Sequence, residues 1–176
     1  MKSILLIFTI CISMSLLAQE NISVFPEHEN LIGGIWKTAP GASWVDGTPC
    51  KLFIEYQKGL EGAILKTKTQ GNTSQESYKF GLRNEGIISF NKEENKGKFF
   101  EFDIFGNLTS GEFKYQDKNI YYTYKYPMYT DDMVLTDCWE YVDDNTYNFT
   151  VGVYDEVNNK WEKKFLSTSF KRELKQ

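Results

Sequence analysis

Histidine is almost missing from this chain, with one, His28, among 176 residues. Catalysis by a Ser-His-acid or Cys-His set needs an imidazole held in place by the fold. His28 instead lies in a polar stretch before the first strand-like run, where it reads as a surface residue. Cysteine is scarce too, at three, and Cys11 falls inside an apolar leader. Cys50 and Cys138 are therefore a candidate disulfide or two separately buried thiols, and with one histidine they do not make the nitrogen and sulfur set of a zinc site. No glycine-rich loop joins a strand to a helix, so nucleotide chemistry has no support. Neither a metal nor a cofactor is expected.

Clustered basic charge is also lacking. The net charge is −4 and the lysines are scattered, which argues against a nucleic-acid partner. The one long apolar stretch, Ile4 to Ile12, is shorter than the roughly 20 residues a membrane span needs. Small residues follow it, then Gln19, Glu20 and Asn21. This is the pattern of a secretory signal peptide, and the expected product is an exported protein, periplasmic or secreted, with no span after cleavage. The expected organisation is a signal helix at 1–19, an extended arm at 20–30 and one domain at 31–176. Oligomeric state leaves no trace in the sequence.

Helical periodicity is absent downstream of the leader, and what fills the chain is a series of short alternating runs separated by turn residues. About ten strands joined by short hairpins predict an all-β fold, an antiparallel up-and-down barrel whose closure removes exposed edges. A two-sheet sandwich fits the same count. Between Lys98 and Phe105, Phe100, Phe102 and Ile104 alternate with Glu101 and Asp103. Tyr122 and Tyr124 share one face of the run from Ile120.

Aromatics are what the chain has in abundance, at 16%. Tyr56, Phe100, Phe102, Tyr122, Tyr124 and Trp139 are the candidate lining of a polar-aromatic pocket, since a buried phenol needs a hydrogen-bond partner or water. The competing readings are a solid aromatic core, or an outer sticky face formed by Phe99, Phe105 and Tyr121. A tyrosine acid facing an aspartate or glutamate base would serve an isomerase or hydrolase without histidine. The pairs Asp131-Asp132 and Asp143-Asp144 have turn chemistry and carry no catalytic or metal role.

Gly34-Ile35-Trp36 near the front and Phe170-Lys171-Arg172 near the end bracket the β pattern. With Asp137-Cys138-Trp139-Glu140-Tyr141 between them, the chain resembles the calycin superfamily, and within it the small exported lipocalin-like domains of bacteria. The resemblance implies a lipocalin-like barrel, closed where Gly34, Trp36 and Arg172 meet and open at the other end to a small, partly apolar ligand. It implies no haem, because that branch takes an axial histidine from a late strand and none follows Asn30. The expected function is non-catalytic ligand binding by an exported barrel, with a cell-envelope interaction module as the alternative.

Overall fold

The computed structural model describes residues 24–72, 79–125 and 133–174. The expected signal peptide at 1–19 and the Asp131-Asp132 pair lie outside them. Ten strands follow one another: β1 (Gly34–Thr38), β2 (Phe53–Gly59), β3 (Ile64–Asn72), β4 (Phe80–Asn91), β5 (Lys96–Asp103), β6 (Leu108–Gln116), β7 (Asn119–Lys125), β8 (Val134–Asp143), β9 (Thr146–Asp155) and β10 (Lys160–Leu174). Each pairs antiparallel with its sequence neighbour, and β1 pairs with β10 as well as β2, so the sheet closes into an up-and-down barrel rather than a sandwich. Successive hairpins alternate between the two ends. The connections after β2, β4, β6 and β8 gather at one end with the chain start, and those after β1, β3, β5, β7 and β9 at the other.

The closure is made by a short strand with long polar side chains around it. Trp36 and Arg172 are register partners, with the guanidinium carbon 5.9 Å from the indole ring. Arg172 also donates to the Ile32 carbonyl at 2.7 Å, and the Trp36 indole N–H donates to the Leu31 carbonyl at 2.9 Å. Those carbonyls belong to the segment entering β1, so one residue pair fixes strand, arm and seam together. Gly34 is part of the fit, because a Cβ there would lie 2.8 Å from both Cγ and Nε of Arg172.

From Phe25 onward the arm does not extend into solvent. A single 3-10 turn, His28–Leu31, folds beneath the barrel and seals that end, with Phe25, His28 and Leu31 fully buried. Above it the core splits into two aromatic groups. Trp36, Trp139, Tyr147 and Phe170 pack by ring edges, with Trp36 to Tyr147 at 5.2 Å and Trp139 to Phe170 at 4.8 Å between centroids. Phe90, Phe113 and Tyr115 form the other, with Phe113 occupying space that a side chain at Gly97 would fill. Gly34→Val should therefore destabilise the protein by about 1–3 kcal/mol through overpacking at the seam, read as a fall in the thermal midpoint by circular dichroism.

Candidate functional site

Alternation along a strand sends successive side chains to opposite faces but does not say which face is inside. In β5 the carboxylates point in. Glu101 and Asp103 line an interior cavity together with Phe99, whereas Phe100 and Phe102 are 44% and 58% exposed. Phe100 and Phe102 are thus removed from the expected pocket lining, and Phe99, expected on an outer face, is buried. The phase is set by the neighbours: Ile88 of β4 pairs with Phe99 and faces the core.

The cavity has a volume of about 170 Å3 and opens at the end opposite the 3-10 turn. Tyr56, Tyr122, Tyr124 and Trp139, four of the six expected lining residues, stand on its wall. Ile54, Ile88, Phe149 and Val151 make its apolar part, and Trp44 of the β1–β2 connection lies at the mouth. An engineered void of about 150 Å3 takes one benzene-sized ring, so this space suits a single-ring molecule rather than a long lipid.

Polar groups converge on the upper half of this space. The Tyr124 hydroxyl donates to Asp137 Oδ1 at 2.9 Å, and Asn84 Nδ2 donates to Glu101 Oε2 at 3.0 Å. Thr67 Oγ1 reaches the other Glu101 oxygen at 3.4 Å. Arg83 also lines the cavity, yet among the described residues no ion pair joins it to either acid. Desolvation dominates both carboxyls: Glu101 titrates above the usual range and Asp137 is pushed up to about 7, with Glu101 adding repulsion and Arg83 opposing it. The surface these acids retain is cavity surface. Asp103 at the rim differs, being held low by the Asn107 side chain at 2.9 Å and by the Asn107 and Phe105 amides.

Below the cavity, His28 overturns the expectation of a surface residue. Its Nδ1 lies 2.6 Å from the Tyr115 hydroxyl and its Nε2 2.5 Å from that of Tyr122. A neutral imidazole has one donor and one acceptor nitrogen, so one tyrosine accepts a proton from the ring and the other donates to it. Enclosure among Phe25, Tyr56 and Phe113 lowers its pKa to about 3 by desolvation. Nothing in its sequence neighbourhood marks this, because the partners come from strands 87 and 94 residues away.

Cys50 and Cys138 are free thiols, not a bridge. Asp137 and Trp139 face the cavity, so Cys138 between them turns to the outside of the wall, against Tyr121. Cys50 packs within the core. Burial raises both thiols to about 11. Gly34, Trp36 and Arg172 occupy the seam and contribute nothing to the cavity lining. Among the described residues no group of three or more His, Cys, Asp or Glu is arranged to hold a metal, and no helix is long and apolar enough to cross a membrane.

No protein-family model matches the chain, and no curated protein matches it. Among solved structures it is similar to the S-type phycobiliprotein lyase from Guillardia theta, at 12% identity and a TM-score of 0.49, over 89% of this chain and 94% of that one.

The buried titrating groups make opposed contributions to stability. Asp137, with its folded pKa raised from 3.8 to about 7, stabilises the folded state least when ionised, so its term worsens as pH climbs from about 4 to 7. His28, depressed from 6.5 to about 3, contributes stability above 6.5 that is lost as pH falls toward 3. Asp137→Asn should remove the first term alone. Relative to the parent, the variant gains thermal stability as pH rises from about 4 to 7, by up to roughly 1.4 kcal/mol per pH unit, and the difference is level above 7, measured in paired melting curves.

Proposed function

We propose that this protein is an exported, non-catalytic barrel that binds a small, partly apolar molecule in the cavity bounded by Tyr56, Tyr122, Tyr124 and Trp139. The observation that carries the reading is a preformed space with an apolar wall, a few convergent polar groups and one open end. At the opposite end the 3-10 turn and Trp36 contribute fully buried side chains. Export rests on the leader at 1–19, and the division into arm and domain on the polar composition of 20–30.

A second reading draws on the outside of the barrel. Ile87, Phe100, Phe102, Ile104, Phe105 and Leu108 are all exposed on β4, β5, β6 and the β5–β6 turn, and Ile87 pairs with Phe100 as Phe102 does with Leu108. That contiguous apolar face suits a protein-interaction module of the cell envelope. The Tyr124 to Asp137 contact supplies the ionisable pair that a histidine-free isomerase or hydrolase would use.

The readings separate by experiment. Titration with 2-phenylethanol should quench tryptophan fluorescence saturably, and Val151→Phe, which fills the cavity from β9, should abolish the quenching while the melting transition persists. Phe102→Ser should leave binding unchanged. Loss of binding in Phe102→Ser with retention in Val151→Phe would transfer the function to the outer face. Native mass spectrometry of protein from its own host checks the same point, with added mass from a retained small molecule expected.

A further inference from the structure

The groups on the cavity wall are unequal in hydrogen-bonding sense, and that inequality selects a ligand. Acceptors predominate. Glu101 and Asp137 bring four carboxylate oxygens, and Asn84 Oδ1 is a buried acceptor with no partner, its amide nitrogen being engaged by Glu101. The Tyr124 hydroxyl is spent on Asp137. Among the described residues the one cationic group on the wall is Arg83, whose charge acts on Glu101, Asp137 and the rim acid Asp103 alike, and it forms no contact pair with the two deeper acids. A buried acceptor without a donor is costly, and two carboxylates sharing one enclosed space are costlier. The rings of Tyr56, Tyr122 and Trp139 stand on the same wall, and aromatic rings accommodate a cation as well as an aromatic body.

We infer, resting on the binding function proposed above, that the ligand is a small organic cation, a protonated amine on a single-ring or similarly compact apolar body. Its ammonium group sits between Glu101 and Asp137 within reach of Asn84 Oδ1, and its body lies against Trp139, Ile54 and Phe149. An ammonium brings three donors and no acceptor, which complements the unmet groups without adding one. Ionisation of both acids, opposed by burial in the empty barrel, becomes favourable when the cation arrives, so binding at slightly acid pH releases a proton. A carboxylate ligand would place a third acid in the same space and have only Arg83 to meet it.

The test compares three probes of one shape, 2-phenylethylamine, 2-phenylethanol and 3-phenylpropionate, by calorimetry and tryptophan quenching at pH 8. The amine should bind at least roughly tenfold more tightly than the alcohol, about 1.4 kcal/mol, and the acid least. Glu101→Gln and Asp137→Asn keep an oxygen acceptor for Asn84 and Tyr124, and each should shrink the preference for the amine over the alcohol to about twofold or less.

The parent protein gives a second measurement that needs no variant. Asp137 is faced by Tyr122 and Tyr124 of β7, Val151 of β9, Glu101 of β5, Arg83 of β4 and Tyr56 of β2, and the tyrosines are raised, with no charge change below pH 9. His28 titrates near 3 and stays neutral in the same range. Amine affinity should therefore fall between pH 8 and pH 5 while alcohol affinity holds. Equal binding of amine and alcohol, or tightest binding of the acid, overturns the cation inference and leaves the cavity as a binding site. Failure of all three probes, with Val151→Phe indistinguishable from the parent, overturns both.

Discussion

Everything in this molecule depends on a five-residue strand being accepted between two longer ones. β1 spans Gly34–Thr38 and has β10 on one side and β2 on the other, with three register partners on the β2 side. Left open, that seam would expose two rows of backbone donors and acceptors and unroof the interior. Five residues supply few ladder bonds, and the deficit is met by side chains. Arg172 spans the seam to the Ile32 carbonyl, and Trp36 anchors Leu31, so the segment that plugs the barrel and the strand that closes it are stabilised by one pair. Gly34 is the sequence condition for that arrangement, since the guanidinium stem lies where its side chain would be.

Much of this was legible beforehand. Alternation and turn residues give the strands, and the Gly34, Trp36 and Arg172 bracket gives the seam, because both are local or terminal signals. Facing was not legible where the sequence offered two self-consistent phases. In β5 the apolar choice, Phe100 with Phe102, looks like a core face, and the protein uses the opposite one. Around β2 the apolar phase is the inner one, since Leu52 just before the strand and Ile54 and Tyr56 within it all reach the cavity. The two strands differ in what their inner faces serve: β2 brings Ile54 and Tyr56 to the wall, whereas β5 brings Glu101 and Asp103. Local rules tend to fail at functional positions, because a site holds groups that stability alone would keep outside.

His28 is the complementary failure. A lone histidine in a polar arm carries no local sign of burial, and its environment is assembled from Tyr115 and Tyr122, far along the chain. The physics that keeps it inside is satisfaction rather than charge. Two phenols meet its two nitrogens, so a neutral ring costs little to bury, and a protonated one would have two donors facing hydroxyls already committed. Cys138 shows a milder version, since its burial comes from Tyr121 on the outside of the wall rather than from the core.

Tyr122 belongs to both halves of the interior. Its hydroxyl closes the contact with His28, while its ring stands on the cavity wall beside Tyr56 and packs on Phe99 and Phe113. Below it the interior is packed with aromatic edges and a neutral imidazole whose two nitrogens are both met. Above it, Glu101, Asp137 and Asn84 leave acceptors that the protein does not meet by itself. A barrel has one interior, and a ligand site can be carved from it only if the remainder holds the cylinder shut unaided. The packed lower half and the seam supply that stability, which allows the upper half to keep two costly acids in a space of about 170 Å3. The division explains why the polar surplus lies at the open end: a charged guest enters there without crossing the packed floor, and its loss exposes the acids to solvent rather than to the core.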